Sequence, residues 1–154
     1  MTSATVGRVF LTCVMLLLPA TATFAGEEGK TLELRRIMKD LGTDMQMITD
    51  AISREDWPAA EALAERVADH PQPGMLEKTR VLAFVGTRVT RFKAYDGETH
   101  SAAKDLADAA SRRDGVAAIE AFRRVQLGCH GCHQAFRREF VNHFYPSEKG
   151  SARP

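Results

Sequence analysis

The sequence is poor in the features that build a β-sheet or a disulfide-stabilised domain. No stretch alternates apolar and polar residues as a half-buried strand does. Only three cysteines and one tryptophan occur among 154 residues. With 21 basic and 20 acidic residues, the chain also lacks the excess positive charge that favours nucleic acid or an anionic membrane surface. These absences indicate an all-α protein whose partners do not include nucleic acid.

The first 25 residues have the pattern of a secretory signal peptide. Arg8 precedes an apolar run at residues 9–19, and small residues follow as far as Ala25, after which we place the cleavage. The apolar run is too short for a membrane-spanning helix, so we expect no stable membrane insertion. The prediction is export to the periplasm, with residues 26–154 forming one mature domain.

Removal of this segment changes the counts of charges and thiols. Arg8 is its only charged residue, so the mature chain has 20 basic and 20 acidic residues. Cys13 leaves with it, and the remaining cysteines, Cys129 and Cys132, belong to one short motif. No thiol is then left for a structural disulfide, although export implies an oxidising compartment. We therefore expect another group to stabilise the mature domain.

The motif runs from Cys129 to His133 and has the spacing of a c-type haem attachment site. Each thiol can add to one vinyl group of a haem, and the imidazole after the second thiol can ligate the iron. On a helix, Cys129, Cys132 and His133 share one face. A thioredoxin-like pair would need a βαβ pattern and a zinc site a second pair of cysteines, and the sequence has neither. The sequence predicts one covalent haem c with His133 as proximal ligand.

Apolar residues recur every three or four positions in four main segments, which predicts an all-α four-helix bundle. The first helix covers residues 31–52, and its apolar seam consists of Leu34, Met38, Leu41, Met45, Ile48 and Ile52. A short second helix covers residues 58–68. A helical region then covers 75–113, with a bend or close approach at Gly86 and a break at Gly97. The last helix covers about 115–143, with an inward face made of Ala118, Phe122, Val125, Cys129, Cys132, Phe136 and Phe140.

A haem motif on the last helix of a helical bundle resembles the class II c-type cytochromes, the cytochrome c′ family of periplasmic four-helix bundles. Other globular cytochromes c carry this motif near the N-terminus. The resemblance covers residues 32–144 and includes the first-helix run from Arg35 to Gly42 and the pair Phe136-Arg137. The chain is most similar to the low-spin branch, in which a methionine ligates the iron.

In this family, one first-helix residue opposite the histidine decides the chemistry. An apolar residue there leaves an iron face open to nitric oxide or carbon monoxide, whereas a methionine closes it. Matching the family's arginine to Arg35 or Arg36 places Met38 at this position. Met45 is the alternative ligand, and methionine is also a common gap filler in cores. The family likeness further implies that Arg137 lies near the histidine and the haem propionates; the alternative is a solvated helix-end arginine.

The resemblance implies an electron carrier rather than an enzyme. One haem c, ligated by His133 and Met38, would exchange single electrons with redox partner proteins, because thioether ligation raises the reduction potential. A five-coordinate gas-binding protein is the first alternative. A haem peroxidase ranks last, since the first-helix seam offers no acid–base residue. We interpret His70 and His100 as surface histidines, and pairing of two copies through the first helix stays open.

Overall fold

The computed structural model describes residues 31–146, which form an all-α bundle. Its helices are α1 (Glu33–Ser53), α2 (Trp57–Ala68), α3 (Met75–Val85), α4 (Val89–Ser111), α5 (Gly115–Cys132) and α6 (Arg138–Phe144). A 3₁₀ turn, Gly86–Arg88, joins α3 to α4, and a π-helical segment, His133–Arg137, continues α5 into α6. Within the described range, no helix is both long enough and apolar enough to cross a bilayer. The predicted signal peptide and its cleavage site lie outside the described residues.

Two of the helices begin at aspartate N-caps. Asp56 Oδ1 accepts a hydrogen bond from the backbone N–H of Ala59 at 3.3 Å, and Asp114 Oδ1 accepts one from Ala117 at 3.0 Å. Each bond satisfies a backbone donor that has no partner inside the helix. Pro58 lies in the first turn of α2, where its missing N–H is not needed. The predicted start of the second helix is confirmed to within one residue.

The structure confirms the predicted bend at Gly86, whereas the predicted break at Gly97 is wrong. α4 continues through Gly97 from residue 89 to residue 111. Gly86 has φ 57° and ψ −130°, a conformation that side chains with a Cβ rarely adopt. A glycine inside a helix costs only about 1 kcal/mol relative to alanine. The packing of α4 against α2 and α5 is sufficient to override that cost.

The most buried face of α1 is rotated from the predicted seam, although every seam residue except Met38 lies in or against an apolar cluster of the interior. Its buried residues are Ile37, Asp44, Ile48 and Ala51, of which only Ile48 belongs to the prediction. Met38 is 41% exposed. The carboxylate of Asp44 pairs with the guanidinium of Arg66 on α2, and this partner makes a buried charge tolerable. The spacing of apolar residues does not predict this face, because a charged residue such as Asp44 is expected to face solvent.

The interior of the bundle consists of two apolar clusters. We call the larger one the alanine-rich core: it joins α2 to the C-terminal halves of α1 and α4 and to α5. The smaller one, the aromatic cluster, buries Val81, Val85 and Phe136 and is surrounded by partly buried residues that include Phe84, Phe92, Tyr95 and Phe140. Every residue of the inward face predicted for the last helix lies in or against one of these clusters. That prediction is confirmed.

Candidate haem-attachment site

The two cysteines of the motif lie at the boundary between the two clusters. Cys129 and Cys132 are one turn apart near the end of α5, and both are half-buried free thiols. Cys129 packs against the alanine-rich core, whereas Cys132 packs against the aromatic cluster. Both thiols are therefore presented to the inside of the bundle, beside a surface of aromatic side chains.

Two glycines allow α4 to approach the motif closely. A Cβ at Gly131 would lie 2.6 Å from Cε1 of Tyr95, and a Cβ at Gly128 would overlap the hydroxyl of Thr99. Thr99 Oγ1 in turn donates to the carbonyl oxygen of Tyr95 at 2.8 Å. These contacts cannot be predicted from the sequence, because a glycine in the motif indicates only a weak helix propensity. The glycines determine how near α4 lies to the thiols.

The thiols are held in their neutral form. Burial, with smaller contributions from Cys129 and Asp96 nearby, raises the pKa of Cys132 to about 11. Burial also raises the pKa of Cys129, against the effect of a hydrogen bond with Thr99. A redox-active pair depends on a lowered thiol pKa, because the thiolate is the nucleophile. The electrostatics of this site therefore argue against a thioredoxin-like function for these cysteines.

His133 is the first residue of the π-helical segment and follows Cys132 directly. Although the residue is exposed overall, partial burial of the ring lowers the pKa of its imidazole, and the charges of Arg137 and His130 lower it further. These effects favour the neutral imidazole, which is the form that binds a metal. π-helical segments are rare and are frequent at functional sites. Nothing in the apolar periodicity of the last helix signals this one.

The π segment is fixed to the start of α4 by an arginine that the sequence reasoning missed. The guanidinium of Arg88 lies 4.9 Å from the ring centroid of Phe136, a cation–π contact. The same side chain forms an ion pair of 2.8 Å with Glu139 on α6. Arg137 ends the segment, four residues after His133, and its charge contributes to the lowered pKa of that histidine.

α1 is anchored at its N-terminus by residues far away in the sequence. Glu77 of α3 accepts hydrogen bonds from the backbone N–H groups of Glu33 and Leu34 at 2.8 and 2.7 Å. The hydroxyl of Tyr145 accepts one from the backbone N–H of Leu32 at 3.1 Å. A carboxylate at a helix N-terminus also complements the helix dipole. These contacts set the position of the first turns of α1, and spacing arguments cannot detect them.

The two candidate methionines on α1 have different surroundings. Met45 is partly buried and packs against the alanine-rich core. Met38 packs in neither of the two described clusters. Leu34, one turn before Met38 on the same helix face, packs against the aromatic cluster, which also contains Cys132. The turn of α1 that carries Met38 is therefore close to the aromatic cluster, while Met45 serves as a packing residue.

These residues fit a covalently attached haem. Cys129 and Cys132 would form the two thioether bonds, and the neutral imidazole of His133 would bind the iron. The half-buried rings of the aromatic cluster supply an apolar surface of the kind that a porphyrin packs against.

Comparison with known proteins identified one family. The model of the family described as Cytochrome C' matches residues 32–137, well over half of the chain. The matched range includes both α1 and the complete haem motif. A comparison with curated proteins and a comparison with solved structures each found no match.

Proposed function

The chain belongs to the cytochrome c′ family of haem c proteins, and from this premise we propose that it is a carrier of single electrons. In this proposal Cys129 and Cys132 hold the haem, and His133 and Met38 are the axial ligands of its iron. The bound haem supplies one-electron chemistry. The protein would work in the periplasm, exchange electrons with redox partner proteins and turn over no substrate.

The observation that carries the proposal is the position of Met38. Its side chain is 41% exposed and lies one turn beyond Leu34, which packs against the aromatic cluster. The thioether is therefore accessible near the cluster that contains Cys132. Its alternative, Met45, is already packed against the alanine-rich core. A thioether opposite an imidazole raises the reduction potential of a haem and suits electron transfer.

The chain immobilises both segments that carry the proposed ligands. Glu77 binds the first backbone N–H groups of α1, so the turn of Met38 starts from a fixed position. Arg88 contacts Phe136 and Glu139, and it thereby restrains the π segment that begins at His133. Restrained ligands move little when the charge of a site changes, and this keeps the structural cost of electron transfer low.

A five-coordinate protein that binds nitric oxide or carbon monoxide is the second candidate. One observation favours it: Met38 packs in neither described cluster, so protein packing does not hold its thioether in place. In that case His133 would be the single axial ligand from the protein.

Optical spectra of the holoprotein and of Met38→Ala distinguish the two candidates. For an electron carrier, the unmodified ferrous protein should be low-spin and unchanged by carbon monoxide. Met38→Ala should convert it to a high-spin form that binds carbon monoxide, because the variant lacks the thioether. Met45→Ala is the matched control and should keep the low-spin spectrum, since Met45 packs against the alanine-rich core.

Two results would contradict the proposal. Conversion of the spectrum by Met45→Ala but not by Met38→Ala would show that the ligand assignment is wrong. A high-spin unmodified protein that binds carbon monoxide readily would instead favour the gas-binding function.

A further inference from the structure

A second group of metal-ligating side chains lies apart from the haem motif. His70 belongs to the loop after α2, and Asp96 and His100 lie one turn apart on α4. One ligand atom from each side chain lies within 4.8 Å of the others. Nε2 of His100 is 3.6 Å from Oδ1 of Asp96, and the two imidazole rings stack with their centroids 4.9 Å apart. Both histidines are partly buried.

Each imidazole of this group is oriented by a backbone carbonyl. Nδ1 of His100 contacts the carbonyl oxygen of Ala68, the last residue of α2. Carbonyl groups in the last turn of a helix have no partner inside that helix, which leaves this one free to accept. Nδ1 of His70 is 2.8 Å from the carbonyl oxygen of Pro71. When Nδ1 donates its proton to a carbonyl, the lone pair of the ring is on Nε2.

This orientation is characteristic of histidines that bind metals. A ligating histidine almost always donates its other ring N–H to a carbonyl, a carboxylate or water, because that bond fixes the tautomer and the ring plane. Here both rings have such a bond, and a carboxylate lies beside them. Two histidines that only pack against each other would need neither the bonds to backbone carbonyls nor the neighbouring carboxylate.

We propose that His70, Asp96 and His100 form a zinc site. Two imidazole nitrogens and one carboxylate oxygen are a known three-ligand set for Zn²⁺, with water in the fourth position. Ligand bonds of about 2.1 Å place neighbouring ligands about 3.4 Å apart in a tetrahedron. The side chain of Asp96 is 52% exposed and can rotate toward the rings. A small side-chain movement therefore brings the three ligand atoms to zinc distances.

Zinc at this position would connect the loop after α2 to the middle of α4. A ligand that binds only the folded protein stabilises it in proportion to its occupancy. The melting temperature should therefore rise when zinc is added. Tyr95, the neighbour of Asp96 on α4, lies against Gly131, so the site adjoins the haem-attachment motif.

Calorimetric titration of the tag-free haem-containing protein, first freed of zinc with a chelator, with zinc chloride tests this proposal. We expect one equivalent of zinc to bind and the melting temperature to rise, whereas magnesium should do neither, because it prefers oxygen ligands. Asp96→Asn, His70→Gln and His100→Gln should each weaken zinc binding at least about tenfold. Loss of a residue that only supports a ligand already costs about that much, and loss of a ligand should cost no less. His143→Gln removes a histidine from α6 and is the control, with unchanged zinc affinity expected.

Asp96→Asn is the decisive variant, because its side chain is exposed and the substitution leaves the contact of His100 with Ala68 intact. An unchanged haem spectrum in each variant would show that the bundle and the haem are intact, independently of how the iron is ligated. Absence of zinc binding, or zinc binding that Asp96→Asn and His70→Gln do not weaken, would overturn the proposal. Loss of zinc binding in His143→Gln would overturn it as well.

Discussion

The two ends of this bundle are packed by different kinds of side chain. The alanine-rich core buries sixteen residues, of which eleven are alanines, so α4 packs closely against both α2 and α5. The aromatic cluster buries only three residues and surrounds them with partly accessible rings. At the end with the alanine-rich core, the small side chains of the protein fill the core without a prosthetic group. Large rings at the other end provide an apolar surface suited to a flat prosthetic group.

The haem motif lies where these two kinds of packing meet. Cys129 contacts the alanine-rich core and Cys132 contacts the aromatic cluster. The attachment points are therefore supported on one side by a rigid core, while the haem would rest on the aromatic side. We therefore predict that loss of the haem destabilises the end with the aromatic cluster more than the end with the alanine-rich core.

The largest effect should come from replacing both thiols. Cys129→Ala with Cys132→Ala should abolish covalent haem attachment, because no other cysteine of the predicted mature chain can form a thioether. Amide hydrogen exchange should then accelerate in α3 and α6, which border the aromatic cluster, and change little in α2. Haem staining after denaturing electrophoresis and exchange monitored by mass spectrometry measure both effects. Equal loss of protection at both ends would contradict the comparison.

A smaller effect should follow from opening a cavity in the alanine-rich core. Leu106 is fully buried there, among alanines too short to fill the space that its side chain leaves. Leu106→Ala should therefore lower the free energy of unfolding by about 2–5 kcal/mol, as measured by urea denaturation. Leu76→Ala is the matched control: Leu76 is 85% exposed, and its replacement should change the free energy by less than about 0.5 kcal/mol. Equal effects of the two substitutions would show that the core is not tightly packed.

The smallest effects concern the contact between α4 and α5. A Cβ at Gly128 would overlap Thr99, so Gly128→Ala should lower the free energy of unfolding by about 1–3 kcal/mol. Gly97 is also inside a helix but has no atom within 4 Å of an added Cβ. Gly97→Ala should therefore stabilise the protein by about 0.4–1 kcal/mol, because alanine restricts the unfolded chain. Thermal denaturation of both variants measures this difference in sign, and stabilisation by Gly128→Ala would refute the close contact.

The predictions from the sequence were wrong where contacts between helices outweigh the helix propensity or polarity of a single residue. Gly86 and Gly97 are equally weak helix formers, yet only Gly86 interrupts the helix. Packing of α4 against two other helices decides between them, and sequence alone does not contain that packing. The rotation of α1 has the same origin, because Asp44 is buried through its pairing with Arg66 on another helix.

The haem motif, the all-α class and the inward face of the last helix can be predicted from the amino-acid sequence, because each depends on the spacing of residues within one segment. The tertiary structure, in contrast, was needed to show that α4 runs unbroken through Gly97, that Met38 remains accessible and that Glu77 caps α1. It also brought His70 to Asp96 and His100. These features join residues that lie far apart in the chain, and their relative positions are set by how the helices pack.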